Sequence, residues 1–499
     1  MLGILALLAC PRALPPDPAT PPAPAPLAPM VSPTPRLLVL VVVDQLPIRL
    51  LQLPSELYRG GLALLTGDEA FVSTARYAHA ITYTCPGHAT ISTGASPSVS
   101  GIISNDWYLD PVPGTDSIYC GDPSLLRVET LADQVMQAGG QVAAVALKDR
   151  AAMMLGGPRA QLVSWYDRSQ GRFTEPLAEL DLSRWMSEPW TALHPDVYQA
   201  LVGPDDGPLE SDPGLGTTFP HPAPDASTFL VTPFAGDALV DAALAAVERQ
   251  HLGEDERPDL LALSFSQTDY IGHNYTSESW EALDGMVRLD ASLDRLIEAL
   301  QDRVPGGITV LLTSDHGSFP ADKLRIPPDA IPNAANQALA SAGFEGEVVF
   351  ESPSIYLPEP LRGDPALRAP AATAIAEAVA ALPGIAGAWA WRDTPVEGPY
   401  AEAILQSVDP QRSGEVYVMR AADALYDYPG AEGRGTSHGT AFPDDTDVPF
   451  LAWGIGVAPG HTSELLDVRQ IAPTAAHLMG LRPPPSSQGS VVTQLLITP

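Results

Sequence analysis

Three continuously apolar, β-branched runs constrain this chain most, because each leads into an aspartate: Arg36 to Val43 (RLLVLVVV) before Asp44, Asp259 to Asp269 (DLLALSFSQTD), and Ile308 to Asp315 (ITVLLTSD), followed by His316. A strand that is apolar on both faces belongs inside a parallel sheet covered by helices on both sides. In such open α/β sheets ligands bind beyond the carboxyl ends of the strands, so the three carboxylates are expected to converge on one crevice. Helical patterns at Ala238 to His251 and Ser279 to Arg303 supply the crossovers that parallel strands require. The fold class expected is α/β, with a mostly parallel sheet flanked by helices.

The rest of the chain divides by composition. Residues 11–35 form a proline- and alanine-rich linker. The core is expected over 36–320 and 426–499, with a surface insertion at about 164–221, where tryptophan, proline and acid crowd together without periodicity. Between them, 321–425 reads as an inserted α+β cap: short strands at Glu347 to Phe350, Ala388 to Trp391 and Glu415 to Val418 around an alanine-rich helix at Pro370 to Leu382. The chain returns with a buried strand at Asp447 to Trp453 and a helix at Asp467 to Leu478.

Tyr83 to Gly94 (YTCPGHATISTG) carries the first chemical signal. Thr84 is expected at the N-cap of a short helix, with Pro86 tolerated in its first turn and Gly94 stopping it. The hydroxyl then lies beside free backbone N–H groups and the positive end of the helix dipole, a seat for a phosphoryl or sulfuryl group. An alcohol there becomes a nucleophile only if a base, a lowered pKa or a metal activates it. On this segment alone, helix capping is the plainer reading.

Histidines and aspartates gather at the strand ends. Asp269 and His273 stand four apart, Asp315 and His316 are adjacent, and His438 lies in the glycine-flanked loop Arg434-Gly-Thr-Ser-His-Gly-Thr440. Any one pair alone is better read as a solvated strand end. Together with Asp44 they make six carboxylate and imidazole donors, enough for two tetrahedral zinc sites with one position left open on each. Two metals of that kind suit in-line displacement at phosphorus.

The 60 acidic residues outnumber the 27 basic ones, for a formal net charge of −33, which argues against attraction to nucleic acid or an anionic membrane surface. A phosphate site on such a chain must carry its own local positive charge. Met1 to Ala9 is apolar and is followed by Cys10, so residues 1–10 read as an export signal: either an ordinary cleaved one or a lipoprotein signal that would anchor the chain through a lipidated Cys10. The expected location is periplasmic, secreted or outer-membrane-anchored. Only three cysteines are present, so this is no disulfide scaffold; Cys85 and Cys120 pair or stay apart according to a geometry that sequence does not give.

Seven segments in order resemble the alkaline phosphatase superfamily: Asp44-Gln45, Tyr83 to Ala89, Gly101 to Tyr108, Lys148-Asp-Arg150, Thr268 to His273, Ser314 to Gly317 and Ser437 to Gly439. Within it they are most similar to the PafA-type bacterial phosphatases, which stand close to the nucleotide pyrophosphatases and phosphodiesterases. The resemblance implies an alkaline-phosphatase-like core with inserted cap, one zinc held by Asp269, His273 and His438, and a second held by Asp44, Asp315 and His316. It implies Thr84 as a metal-bridged, transiently phosphorylated nucleophile and Asn105 as a hydrogen-bond donor to a phosphoryl oxygen. Lys148 and Arg150 would bind the remaining phosphoryl charge, favouring small-molecule phosphate monoesters over diesters. The alternatives are a phosphodiesterase or nucleotide pyrophosphatase with the same two zincs, and an exported zinc-binding protein without turnover. A sulfatase fits less well, since that chemistry matures a Cys or Ser and position 84 is threonine.

Overall fold

In the computed structural model, which describes residues 33–109, 111–320, 323–427 and 433–497, the three apolar runs lie side by side. Leu37–Val43 pairs in parallel with Asp259–Phe265 on one side and with Ile308–Thr313 on the other. The parallel block extends through Val142–Ala146 to Leu162–Asp167. The remaining strands flank this block: Asp447–Gly454 pairs antiparallel with Ile308–Thr313 and with Phe71–Arg76, Gly460–Asp467 pairs in parallel with Phe71–Arg76, and Arg172–Phe173 pairs antiparallel with Leu162–Asp167. The result is a nine-stranded, mostly parallel sheet.

The unbroken hydrophobicity of Leu37–Val43 follows from its central position, because successive side chains enter different cores. Leu37, Val39, Val41 and Val43 pack in one cluster with residues of the helices Phe234–Gln250 and Trp280–Arg303. Leu38, Leu40 and Val42 pack in another with Ile471–Leu478 and Leu131–Gln137. Among the described residues no helix is long and apolar enough to cross a membrane. The signal, linker and Cys10 readings lie largely outside the described residues.

Several sequence expectations shift. The strand that begins at Asp259 ends at Phe265, so Asp269 and His273 sit one turn apart on the helix Gln267–Tyr275 and not on a strand end. The alanine-rich helix starts at Pro365, five residues before Pro370, with Asp364 accepting from the Ala366 N–H. The prolines at both positions mislead: Pro365 fills the first turn, where its missing N–H costs nothing, and Pro370 lies inside the helix.

The stretch 164–221 is also not simply superficial. Its Trp190, Tyr198 and His221 are buried. Asp284, on the helix Trp280–Arg303, accepts from Trp190 Nε1 at 2.6 Å, Leu193 N at 2.7 Å and Tyr198 Oη at 3.1 Å. Weak periodicity hid this because the segment buries single aromatic anchors and no continuous face.

Over 321–425 the described residues form a four-stranded antiparallel sheet in the order Val349–Glu351, Ser354–Tyr356, Val416–Arg420, Ile385–Trp389. The helices Ala330–Ser341 and Pro365–Ala380 pack together with it in a separate core. The entering strand Leu324–Ile326 pairs with the leaving strand Ala424–Tyr426, which closes the segment at its base.

Replacing Asp284 by Ala would strand a buried indole N–H and a phenol, at about 3 kcal/mol. Urea unfolding of Asp284→Ala should show a loss of that order; a loss under about 1 kcal/mol would mean that the 164–221 stretch is not anchored there.

Candidate active site

The helix Thr84–Thr93 begins one residue earlier than expected. Tyr83, in extended conformation, holds the N-cap position and Thr84 is the first helical residue. The Thr84 hydroxyl therefore makes no capping bond and remains available at the helix N-terminus, with Lys148 Nζ 3.5 Å away. The helix ends at Gly94 in the left-handed conformation, as the sequence suggested. Gly87 lets it seat against Asp315: a Cβ there would stand 2.3 Å from the Asp315 carbonyl oxygen. Gly439 does the same for the His438 loop, combining φ +112° with contact to the Tyr83 ring.

All six expected donors meet beyond the strand ends. Two groups of potential metal ligands are present, Asp44 with Asp315 and His316, and Asp269 with His316 and His438. His273 joins the second through Asp269, its Nε2 lying 3.2 Å from Oδ1. His316 thus reaches both groups, where the resemblance had assigned it to one.

The imidazoles show what they face. His273 Nδ1 bonds the Thr436 carbonyl at 2.9 Å, His316 Nδ1 the Gly317 carbonyl at 3.0 Å, and His438 Nδ1 the Thr82 carbonyl at 2.7 Å. A carbonyl only accepts, so each neutral ring carries its proton on Nδ1 and aims the Nε2 lone pair inward. Those lone pairs meet carboxylate oxygens: His438 Nε2 is 3.7 Å from Asp269 Oδ1, and His316 Nε2 is 3.5 Å from Asp44 Oδ1 and 3.4 Å from Asp315 Oδ2. Acceptor facing acceptor is repulsive unless a cation lies between. Donors about 2.0–2.1 Å from a tetrahedral ion stand roughly 3.3 Å apart, which these separations match. His316 Nε2, Asp44 Oδ1 and Asp315 Oδ2 are buried with no hydrogen-bond partner. The residues present therefore fit divalent metal.

The electrostatics agree. Burial pushes the Asp44 carboxyl up to about 8, with Asp315 adding to the rise. Burial also works against charge on Asp269, but His273 and then Lys148 outweigh it and hold that carboxyl low. The Lys148 ammonium, opposed by burial, is kept charged by Asp269 and Asp44, to whose Oδ2 atoms it stands at 2.6 and 2.8 Å. It thus bridges the two donor groups beside Thr84, a more central place than a pocket wall.

Asn105 Oδ1 accepts from the Cys85 N–H at 2.9 Å, which leaves its amide nitrogen for the pocket. Arg150 lies in the first turn of the helix Asp149–Gly156, with Nε buried and unpartnered. Thr84, Asn105, Lys148, Arg150, His273 and His438 all line one cavity of about 890 Å³.

Two supporting residues went unrecognised. Gln45 donates from Nε2 to Asp269 Oδ1 at 2.8 Å and from its backbone N–H to Asp315 Oδ1 at 3.1 Å, linking both groups. His88 bonds the Thr84 carbonyl through Nδ1 at 2.8 Å and Ser264 Oγ through Nε2 at 2.9 Å. Adjacency to Asp44 and the four-residue helical spacing from Thr84 were the available signals.

A nine-stranded α/β sheet with a metal-ready acidic and imidazole cluster beside a helix-borne hydroxyl defines a hydrolase of phosphate esters. The profile of the type I phosphodiesterase / nucleotide pyrophosphatase family matches residues 38–407, and the chain belongs to that family. It is 30% identical over 515 residues to alkaline phosphatase PhoK of Sphingomonas sp, covering 91% of this chain and 90% of that one. It is 27% identical over 523 residues to alkaline phosphatase PhoV of Synechococcus elongatus, covering 93% of each. Among solved structures, wild-type alkaline phosphatase PafA superposes with a TM-score of 0.84 at 23% identity, over 94% of this chain and all of that one, and so shares the fold.

Because His316 is fully buried with an unpartnered Nε2 while His273 is partly exposed, His316→Ala should lower bound divalent metal per chain by more than His273→Ala does. Elemental analysis of the two variants checks this; equal metal content would contradict the greater weight given to the buried ligand.

Proposed function

We propose that the chain is an exported, zinc-dependent phosphate monoester hydrolase that works through a phosphothreonine at Thr84. The observation carrying the reading is the uncapped Thr84 hydroxyl between the helix N-terminus and Lys148, beside two donor groups whose acceptors require cations. Imidazole and carboxylate donors at tetrahedral spacing favour zinc, with Asp269, His273 and His438 holding one ion and Asp44, Asp315 and His316 the other. Two such ions supply Lewis-acid charge to the oxygens of attack and departure.

The chain's own groups do the rest. The helix N-terminus and the Lys148 ammonium favour the Thr84 alkoxide form. Asn105 and Arg150 hold the non-bridging phosphoryl oxygens and align phosphorus with Thr84 Oγ1. Thr84 gives its hydroxyl proton to water, a bond forms from Oγ1 to phosphorus as the ester P–O bond breaks, and the departing alkoxide takes a proton back from water and leaves as alcohol. Water then attacks the phosphothreonine, releasing inorganic phosphate and the Thr84 hydroxyl. Two displacements give net retention at phosphorus.

Monoesters are favoured because a dianion presents more charge than a diester to Lys148 and Arg150, and Arg150 has an unused buried Nε. The alkaline phosphatase names of the relatives point the same way. Export is supported by the disulfide between Cys85 and Cys120, a bond that persists in oxidising compartments.

Thr84→Ala should abolish turnover of p-nitrophenyl phosphate while leaving bound zinc near the wild-type value. Substantial residual turnover would remove Thr84 as nucleophile. For Lys148→Ala and Arg150→Ala, the loss on p-nitrophenyl phosphate should exceed the loss on bis-p-nitrophenyl phosphate by about tenfold or more; equal losses would contradict the monoester assignment.

A further inference from the structure

Thr84, Asn105 and Arg150 come from three separate segments, which meet around one disulfide and its hydrogen-bonded neighbours. Cys85, next to Thr84, is disulfide-bonded to Cys120, which lies just beyond the short strand Ile118–Tyr119. Asn105 is clasped between the two half-cystines: its side-chain Oδ1 accepts from Cys85 N at 2.9 Å, and its carbonyl accepts from Cys120 N at 2.9 Å. Both cysteines are buried, in a small apolar cluster that also holds Ala89 of the Thr84 helix, Trp107 and Met154. Met154 lies one helical turn beyond Arg150.

The residue before Cys120 completes the link. Tyr119 Oη donates to Asp149 Oδ1 at 2.7 Å, so the residue before Cys120 holds the residue before Arg150 at the start of the Arg150 helix. Its ring lies over Gly121, where a Cβ would stand 2.5 Å from the ring edge. From Tyr119 to Gly121 the chain thus touches the nucleophile segment, the Asn105 segment and the Arg150 helix within three residues.

We propose that the Cys85–Cys120 disulfide, with Tyr119, is a positioning element for the phosphoryl-binding pair Asn105 and Arg150, and that the oxyanion pocket is fully formed only in the disulfide-bonded chain. The inference rests on the roles proposed above for Asn105 and Arg150. Neither cysteine nor Tyr119 touches the reacting atoms. The disulfide fixes where Cys85 N holds the Asn105 amide relative to Oγ1, and Tyr119 fixes the reach of the guanidinium. Misplacement by about 1 Å at such groups costs on the order of 100-fold.

The test is a mutant cycle on the zinc-loaded full chain, well below the unfolding temperature of every variant. Cys85→Ser with Cys120→Ser should lower kcat/KM for p-nitrophenyl phosphate about 10- to 100-fold, with bound zinc unchanged. The same pair of substitutions introduced into Asn105→Ala/Arg150→Ala should cost less than about threefold, since the groups being positioned are already gone. An equal loss in both backgrounds, or no loss in the first, overturns the proposal. If Asn105→Ala/Arg150→Ala alone is fully active, the underlying assignment of the pocket fails, a separate and recognisable result that also removes the proposal. Should the double serine variant not fold, Tyr119→Phe keeps the disulfide. It should lower kcat/KM about three- to tenfold in the parent and leave Arg150→Ala unchanged, and an undiminished loss in Arg150→Ala contradicts the proposal.

Discussion

Everything in this site depends on an imbalance of buried charge and lone pairs. Asp44, Asp269 and Asp315 stand together beneath the surface, and three imidazoles, each bonded to a backbone carbonyl through Nδ1, turn Nε2 toward them. Lys148 is the cation placed between the carboxylates, and it satisfies one oxygen each of Asp44 and Asp269. Buried carboxylates without partners cost several kcal/mol each, so the arrangement is sound only when further positive charge enters.

The sheet explains why the donors converge. Adjacent parallel strands in register deliver Asp44 and Asp315 to neighbouring points, and Gln45 ties the two ends with its backbone N–H. The next strand stops at Phe265 and hands its chemistry to a helix, where a four-residue spacing sets Asp269 and His273 on one side. The Thr84 helix then closes over Asp315 because Gly87 has no side chain. The positions are set by the backbone, which is the condition for a preorganised pocket.

Much of this was legible in the chain itself. Strands buried on both faces have an unmistakable pattern, and Leu37–Val43 and Ile308–Thr313 fall where it placed them. The six carboxylate and imidazole donors could be grouped by residue type, whereas Asn105, Lys148 and Arg150 were named through the family resemblance. The failures have physical causes. Placing Asp269 on a strand extended a period-free apolar run past Phe265, and Thr84 was set one residue off because a threonine before a proline reads as a cap. The burial of Trp190 and Tyr198 within the 164–221 stretch has no local pattern, since their partner, Asp284, is far away in sequence. The nearness of His316 to both donor groups and the bond from Tyr119 to Asp149 are three-dimensional facts with no local signature.

The family profile bears a phosphodiesterase name while the relatives bear alkaline phosphatase names. In the proposed function Lys148 and Arg150 are the cations that favour a monoester. The most direct test of the whole account is anomalous diffraction at the zinc edge from crystals of the purified, active chain. Two peaks are expected, each about 2.0–2.2 Å from its donors, one among Asp44, Asp315 and His316 and one among Asp269, His273 and His438. Active crystals with no anomalous density at those donors would contradict it.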